Sequence, residues 1–376
     1  MSRIVISLSG EGRGHAARTL SLLEMLDGHR VLALVPDKIR QWFERETASF
    51  SELQICRLPS LSFQYRSSGK LSYTKSWMVA APFIAKLSNN LAKLREWVSG
   101  FGPELAIADF EPLLPRLASR LSIPLLSLDH QHFLHSIDPA ALPRQIRRKV
   151  VFLRPSVKLF CPTADRHLVS SFYRYPQRSG TDRYQQIGVL LRKGMGRMPS
   201  QVGEHILVYT RRSQAAASWL PTVANASRSV LVYGCGESAK SANIDFRPID
   251  GEQFLVDLSS CKALITTAGN QLVGEALNLG KPVLAIPEKG NFEQQINGYF
   301  LAQSGMGQTL AVENVSNKTL RNFLERLAEF RKNIAFYSGS GNACVLKSIH
   351  QMLGLATAAD AKAHIVSSQK IQQVHQ

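Results

Sequence analysis

The feature that most constrains the fold of this chain is a short apolar strand that runs through a glycine-containing turn into a helix, a unit that occurs twice. The first copy runs from the β-branched strand Arg3–Ser9 through Gly10–His15 into a helix. The second runs from Ala263–Thr266 through Gly269 into a helix that begins near Asn270. Short buried strands that alternate with helices predict parallel sheets, because the crossover helices cover the faces of such a sheet.

The alternation of strands and helices starts afresh near the middle of the chain. Strands at His29–Val35, Glu104–Ala108 and Leu125–Leu128 belong to the first series, and a second series begins at His205–Tyr209. A chain of 376 residues is also longer than one ordinary domain. We therefore predict an α/β protein of two doubly wound, Rossmann-like lobes that face each other across a cleft, where ligands bind. The predicted parts are an N-terminal lobe at 1–190, a linker at 191–203, a C-terminal lobe at 204–345, and a last helix with a polar tail at 346–376.

The chain carries a large surplus of positive charge. Its 45 basic and 28 acidic residues give a net charge of +17 and a pI near 9.9. Such a charge predicts an anionic partner, and nucleic acid, the inner face of a membrane and a phosphate-bearing substrate are the candidates. No zinc-finger, RNA-recognition or homeodomain signature is present, so we expect no nucleic-acid partner.

The N-terminus and the cysteines bear on the compartment. The run Met1–Ser7 is too short for a signal peptide, and no apolar run reaches the roughly 18 residues of a membrane span. The five cysteines form no C-x-x-C pair, a pattern typical of buried thiols in a reducing compartment. We therefore expect a cytoplasmic protein without a cofactor, either free or peripheral at the inner membrane face.

His15 follows three glycines of the first loop, Gly10, Gly12 and Gly14, at the predicted start of a helix. Glycines permit a sharp turn and a close approach to a ligand, and the positive end of the helix dipole favours a neutral imidazole. A neutral imidazole in a cleft can act as a general base. The alternative is a histidine that only completes the loop. A dinucleotide fingerprint fits poorly, because the third glycine stands one residue too early.

Acids and amides follow the second glycine turn. The free amides at the helix start suit a pyrophosphate, and Glu275 lies one to two turns into that helix, where its carboxylate can accept from ribose hydroxyls. Glu293 and Gln294 stand in the first turn of a later helix, after Pro287, where they can bind the hydroxyls of a sugar. The alternatives are a solvated acid at Glu275 and ordinary helix-start chemistry at Glu293 and Gln294.

Two further groups follow predicted strands. Asp109 can orient His15 or take a proton itself, unless it caps the next helix. Arg211 and Arg212 follow the first strand of the second lobe, where one of them can neutralise a diphosphate in place of a metal.

A cluster of histidines follows the strand that ends near Asp129. His130 and His132 lie directly after that acid, with His135 one turn farther. This pattern predicts a polar wall on the acceptor side of the cleft, whereas a metal site would need further ligands.

The second-lobe residues resemble the donor-binding half of GT-B glycosyltransferases, in the family that includes MurG and the UDP-glucuronosyl- and plant glucosyltransferases. The resemblance spans about thirty residues and is carried by Gly269, Glu275, Gly280-Lys281-Pro282, Pro287 and Glu293-Gln294-Gln295-Ile296-Asn297. The Gly10–His15 loop is similar to the family's acceptor-side loop, and Asp109-Phe110-Glu111-Pro112 resembles a bacterial and archaeal subgroup. The chain departs from plant and animal members at Thr267, where they have a histidine, and from the MurG-type loop at Glu11 and Arg13.

The resemblance implies a metal-independent enzyme that transfers a sugar from a nucleoside-diphosphate sugar, UDP-linked in our reading, to an acceptor hydroxyl. The positive charge adds a lipid or cell-envelope component as a candidate acceptor. His15 would activate the acceptor, Glu275 would hold the ribose, and Glu293 and Gln294 would bind the sugar. The backbone of Ile249 would contact the base. The acceptor side would be lined by Gly12, Gly14, His130 and His132. The diphosphate would be bound by Arg211, Thr267, Ala268, Gly269, Asn270 and Gln271.

Two other functions remain open at this point. A nucleotide-sugar 2-epimerase would use the same scaffold, but it requires additional acids and a histidine around the sugar. The second lobe before Gln295 has only His205, at the start of a strand. A non-enzymatic binder of an anionic polymer or membrane would need only the positive charge.

Overall fold

The computed structural model of the protein describes residues 1–61, 64–65, 71–161, 163–195, 202–211, 216–236, 243–248 and 250–355. Within these residues the chain forms two lobes, each built on a parallel sheet. The first lobe contains β1 (Arg3–Leu8), α1 (Arg13–Met25), β2 (Arg30–Pro36), α2 (Asp37–Glu46), β3 (Leu53–Leu58), β4 (Gln64–Tyr65), β5 (Leu71–Ser72), α3 (Tyr73–Ala85), α4 (Leu87–Phe101), β6 (Leu105–Asp109), α5 (Leu113–Leu121), β7 (Leu125–Asp129), α6 (Phe133–Ser136), α7 (Arg144–Phe160), β8 (Arg166–Ser170) and β9 (Tyr184–Ile187).

The second lobe repeats the alternation after the linker region. It contains β10 (Ile206–Tyr209), α8 (Leu220–Ala226), β11 (Val230–Tyr233), β12 (Ile244–Arg247), α9 (Gly251–Ser260), β13 (Ala263–Thr266), α10 (Asn270–Asn278), β14 (Val283–Ala285), α11 (Phe292–Gln303), β15 (Gly307–Thr309), α12 (Asn317–Glu325), α13 (Leu327–Ile334) and α14 (Asn342–Met352).

Both sheets reverse their strand order at the centre. The first has the order β3-β2-β1-β6-β7-β8-β9, and the second has the order β12-β11-β10-β13-β14-β15. All neighbouring strands in both are parallel. Chain connections leave in opposite directions from β1 and β6, and likewise from β10 and β13, so that a crevice opens above each pair. The two glycine turns follow β1 and β13 and therefore border these crevices.

The strands are almost wholly apolar because helices cover both faces of each sheet. In β6, all five residues are buried. The lobes also share an apolar cluster below the cleft, in which Phe133 and Val169 of the first lobe join Leu264 and Ile296 of the second. Gly274 of α10 is required at this contact, since a Cβ there would lie 2.5 Å from a methyl carbon of Val189.

The C-terminal helix α14 crosses back to the first lobe. Its residues Val345 and Ile349 are fully buried in the same apolar cluster as Ile4 and Leu20. The predicted boundary between 345 and 346 thus falls inside one helix, and the structure assigns that helix to the first lobe. Its apolar side chains Val345 and Ile349 thus join the core of the first lobe.

The long helix predicted over about Ser76–Ser99 is two helices in the structure, α3 and α4, which meet at Lys86. Pro82 lies within α3, four residues before this break. A proline removes the hydrogen bond to the carbonyl four residues earlier, so Pro82 does not account for the division at Lys86, whose amide donates to the carbonyl oxygen of Pro82. Among the described residues, no helix is both long enough and apolar enough to cross a membrane.

Candidate functional site

His15 lies in the first turn of α1, at the carboxyl end of β1, as its sequence position predicts. The preceding Gly12 has φ = 76°, a backbone conformation that favours glycine. A Cβ at Gly12 would lie 2.7 Å from Nη1 of Arg211, which reaches across from the second lobe. The glycine therefore permits both the turn and the approach of an arginine from the opposite side of the cleft.

Asp109 ends β6 and faces His15 across the switch point of the first sheet. The Nδ1 atom of His15 lies 2.8 Å from Oδ1 of Asp109, and both side chains are buried. Because the Asp109 carboxylate also accepts two hydrogen bonds from Arg18, we assign the proton of a neutral His15 to Nδ1, which leaves the lone pair on Nε2, although Nη2 of Arg18 also lies 3.1 Å from Nδ1. Asp109 does not cap the next helix, because Glu111 accepts from the backbone amides of Leu113 and Leu114 instead.

Arg18 is a third member of this group, and sequence reasoning missed it. Its Nε donates to Oδ2 of Asp109 at 2.9 Å, and its Nη2 donates to Oδ1 at 2.7 Å. Burial would lower the pKa of Arg18, but the Asp109 carboxylate outweighs burial and raises it. The sequence feature that could have predicted Arg18 is its spacing of three residues from His15, since residues i and i+3 of a helix share a face.

The second glycine turn lies at the carboxyl end of β13. Thr267, Gly269, Asn270 and Gln271 line the cleft, and a Cβ built on Gly269 meets no atom within 4 Å. Ala268 is fully buried in a left-handed conformation, with φ = 66°. Its side chain does not line the cleft, so only its backbone can serve a ligand there.

Glu275 points into the cleft from α10, although only 2% of it is exposed. Its Oε1 accepts from Nε2 of Gln271 at 2.9 Å. Burial raises the pKa of Glu275, and the charge of Arg192 opposes that shift. A buried carboxylate is costly unless partners satisfy it, so this site is chemically different from the solvated helix acid that the sequence also allowed.

Glu293 and Gln294 lie at the start of α11 and line the same cleft. Glu293 accepts from Nε2 of Gln131 of the first lobe at 3.3 Å. The Gln294 amide is engaged at both ends, since its Oε1 accepts from the backbone of Glu288 and its Nε2 donates to Oγ1 of Thr267. The side chain of Gln294 therefore ties α11 to the second glycine turn.

Arg211 is buried over most of its length and lines the cleft between the two glycine turns. Its Nη2 donates to Oη of Tyr65 at 3.0 Å and lies 3.3 Å from Oε2 of Glu288. Glu288 was not predicted, because only the fold brings it beside an arginine 77 residues away in sequence. Arg212 and Ile249, also named as candidates, lie outside the described residues.

His130 lines the cleft and bridges the lobes. Its Nε2 lies 3.0 Å from Oδ1 of Asn297 of the second lobe, and its Nδ1 lies 3.0 Å from the carbonyl oxygen of Ser170. Burial lowers the pKa of His130. Asn297 in turn donates to the carbonyl oxygen of Ala268. The His130–Asn297 pair thus connects the first lobe to the second glycine turn.

His132 does not reach the cleft. It is 1% exposed, and its Nδ1 lies 2.6 Å from Oδ2 of Asp129 beneath the surface of the first lobe. Burial would raise the pKa of Asp129, but His132 outweighs burial and lowers it. The rings of His167 and Tyr184 pack against His132. His132 thus lies inside the first lobe, whereas His130, two residues earlier, lines the cleft, so the structure gives the predicted acceptor-side role of His132 no support.

These residues surround a single cleft between the lobes. Its volume is about 1640 Å³ when the part open to solvent is counted. Both histidines that line it, His15 and His130, come from the first lobe. In the part of the chain that the structure describes, no three His, Cys, Asp or Glu side chains are grouped so as to hold a metal ion.

Comparison with protein families and with solved structures gives the context of this cleft. A family model described as glycosyl transferase family 1 matches residues 2–328. No curated protein sequence matches the chain.

Solved structures match over nearly the whole chain. The calicheamicin glycosyltransferase CalG4 has a TM-score of 0.63 at 17% identity, covering 94% of this chain and 98% of its own. Arabidopsis thaliana UGT89C1 complexed with UDP has a TM-score of 0.65 at 14% identity, covering 94% and 100%. The glycotransferase of kitacinnamycin has a TM-score of 0.62 at 16% identity, covering 93% and 99%. These matches confirm the predicted pair of Rossmann-like lobes in the GT-B arrangement.

Proposed function

Since the chain belongs to glycosyl transferase family 1, we propose that it transfers a sugar from a nucleoside-diphosphate sugar to an acceptor hydroxyl, with His15 as the general base. The observation that carries the proposal is the hydrogen bond from His15 to Asp109. It holds Nδ1 as the donor and leaves Nε2 of the neutral ring as the acceptor of a proton. Asp109 stabilises the imidazolium that forms when the proton arrives.

The reaction requires one bond to form as another breaks. The acceptor hydroxyl gives its proton to Nε2 of His15, and its oxygen bonds to the anomeric carbon of the sugar. The bond from that carbon to the diphosphate oxygen breaks, and the nucleoside diphosphate leaves with the electron pair. Arg211 lies between the glycine turns, where its fixed positive charge can stabilise the leaving diphosphate without a metal.

The donor site that we propose is the second-lobe wall of the cleft, within Thr266–Asn297. The amides at the start of α10 bind the diphosphate, and Glu275 accepts from the ribose. Glu293 reaches the sugar, whereas Gln294 acts through its hold on Thr267 and Glu288. UDP complexes of a structural neighbour support a uridine donor, and Ile249 keeps its proposed role at the base.

The acceptor that we propose is a lipid or another anionic cell-envelope component, reached by a cytoplasmic enzyme peripheral to the inner membrane. The net charge of +17 supports this choice. Within the family, the motif series from Gly269 to Asn297 supports a place near the MurG-type members, and Asp109-Phe110-Glu111-Pro112 supports the bacterial and archaeal subgroup. A 2-epimerase is less well supported, because His205 of the second lobe is engaged with the carbonyl oxygen of Asp257 outside the cleft.

Thermal shift assays against UDP-, GDP-, dTDP- and CDP-linked sugars test the donor proposal. We expect one nucleotide class to raise Tm, since a ligand that binds only the folded state stabilises it. The Glu275→Gln variant should reduce that shift, and the exposed second-lobe variant Glu325→Gln should retain it. No shift with any donor would contradict the proposed function.

A further inference from the structure

Helix α7 presents an exposed stripe of basic and apolar side chains. Arg144, Arg147, Arg148, Val151 and Phe152 are all exposed and recur at the three- and four-residue spacing of one helix face. Val151 is 53% exposed and Phe152 is 55% exposed. The opposite face is buried through Ile146, Val150 and Val157. The exposed stripe is therefore a surface of the helix and includes two apolar side chains that are each more than half exposed.

Helix α3 exposes several large apolar side chains, where a surface helix is normally polar. Trp77 is 60% exposed and Met78 is 73% exposed, with Val79 and Ile84 exposed as well. Ala80 is its only buried residue among those described. An exposed group of large apolar side chains of this kind marks an interaction surface.

The two helices meet at the rim of the cleft. The ring of Tyr73, at the start of α3, lies 5.0 Å from the ring of Phe152 of α7 and 5.4 Å from that of Phe292 of the second lobe. Tyr73 lines the cleft, and one turn later on the same helix face stands the exposed Trp77. The apolar surface is thus continuous with the rim of the cleft at Tyr73.

The charged side chains of the two helices are all basic. Helix α7 contains Arg144, Arg147, Arg148, Lys149, Arg154 and Lys158, and neither α3 nor α7 contains an acidic residue. Lipid bilayers with anionic head groups offer the matching chemistry, because basic side chains meet the head groups while tryptophan and aliphatic side chains enter the boundary with the acyl chains. Nucleic acid would match the arginines but not the aliphatic side chains of α3.

We propose that the α3–α7 surface, formed by Trp77, Met78, Val79, Ile84, Arg144, Arg147, Arg148, Val151 and Phe152, docks the protein on an anionic lipid bilayer. The cleft rim at Tyr73 then lies at the level of the head groups, where the hydroxyl of a membrane-held acceptor can reach His15. This inference deepens the proposed function by assigning the surface through which a lipid acceptor is delivered, and it rests on that function only for the delivery step.

Vesicle sedimentation tests the docking surface directly. The full chain should bind vesicles of phosphatidylglycerol and phosphatidylcholine but not vesicles of phosphatidylcholine alone, and added salt should weaken the binding. The double variants Arg147→Gln/Arg148→Gln and Trp77→Ser/Met78→Ser should each lower the partition coefficient by about tenfold or more.

Matched controls come from the second lobe and its C-terminal extension. Lys318→Gln/Arg321→Gln removes two exposed charges, and Phe336→Ser removes an apolar side chain that is 86% exposed. Both controls should bind vesicles as the parent protein does. Equal binding to neutral vesicles, or equal loss in the controls, would overturn the proposal, as would an oligonucleotide or a second copy of the chain held by the same surface.

The thermal shift with nucleotide sugars separates this inference from the proposed function. The α3–α7 variants should keep the full donor-dependent shift, because the donor wall lies in the other lobe. Vesicle binding without any increase of Tm by nucleotide sugars would contradict the proposed transferase function but support the docking surface. An increase of Tm by nucleotide sugars without vesicle binding would support the transferase function and contradict the docking surface.

Discussion

The two glycine turns occupy equivalent places in the two lobes but present opposite chemistry. Each follows a central strand at the point where its sheet reverses order, β1 in the first lobe and β13 in the second. The first turn presents a side chain, His15, held by the buried charges of Asp109 and Arg18. The second turn presents its backbone at Gly269 and Asn270, and no atom lies within 4 Å of a Cβ built on Gly269. The same topological position therefore serves proton transfer on one side and anion binding on the other.

The difference lies in what supports each turn. Asp109 comes from the neighbouring strand of the same sheet, so the His15–Asp109 pair forms within its own lobe. The second turn is tied to the opposite lobe, since the side chain of Asn270 donates to Ser170 and accepts from the backbone of Phe172. Movement between the lobes would thus break the hydrogen bonds of Asn270 but leave the His15–Asp109 hydrogen bond in place.

The largest expected effect separates the two turns by function. His15→Ala removes the general base, and we expect kcat to fall by about 10² to 10⁴-fold. The dissociation constant for the nucleoside diphosphate should stay unchanged, because the donor binds at the other turn. Single-turnover kinetics and calorimetry measure the two quantities. Retained turnover would remove His15 from the mechanism, and His350→Ala provides the matched control.

The next effect concerns the backbone of the first turn. Gly12→Ala places a side chain at φ = 76° and within 2.7 Å of Nη1 of Arg211, so the free energy of unfolding should fall by about 2 kcal/mol. Gly28→Ala is the control, since Gly28 has φ = 84° and no atom within 4 Å of the added Cβ. Urea titration of both variants isolates the contact with Arg211. An equal decrease in the free energy of unfolding for both variants would mean that the contact with Arg211 does not contribute to the destabilisation.

Gly269→Ala tests the second turn through ligand affinity, whereas Gly12→Ala tests the first turn through stability. The backbone there is extended, with φ = −66° and ψ = 127°, and nothing lies near the added Cβ. We expect unchanged folding but a dissociation constant for the donor raised about tenfold, the equivalent of about 1.4 kcal/mol, because the methyl group enters the space of the diphosphate. Calorimetric titration with the nucleotide measures the change. Unaltered affinity would place the diphosphate elsewhere.

The smallest effect concerns histidines outside both turns. Burial, followed by the charge of His132, lowers the pKa of His167 to about 3 and that of His135 to about 4. The unfolded chain takes up these protons near pH 6.5. Because the folded-state pKa values lie below that of the unfolded chain, stability is complete above about pH 6.5 and declines as the pH falls toward 4. His167→Phe should flatten this slope in pH-dependent urea titrations, and His350→Gln should not.

Local pattern was enough to predict the elements that carry the chemistry. His15 at a helix start, Asp109 at a strand end and Glu275 in a helix after a glycine turn all lie where the sequence predicts them. Strand, turn and helix depend on residues close in sequence, so their order is readable without the fold. Parallel strands then bring their carboxyl ends to one edge, and this predicts that His15 and Asp109 meet.

Contacts between distant residues could not be predicted in this way. Arg18 pairs with a carboxylate 91 positions away, and His130 meets Asn297 at a separation of 167. His130 and His132 are two residues apart, yet one lines the cleft and the other packs beneath the surface beside Asp129. Which ring faces which side depends on the exact turn after β7, a detail that spacing alone leaves open.

The sequence by itself determined the two alternating series, the two glycine turns and the residue types available at the strand ends, because these depend on local periodicity and on glycine's freedom at φ > 0. Only the tertiary structure decided that Arg18 completes the His15–Asp109 pair and that Arg211 approaches Gly12. The tertiary structure also decided that α14 packs on the first lobe and that large apolar side chains of α3 are exposed. Those outcomes follow from packing and charge pairing between segments far apart in the chain, which no local pattern specifies.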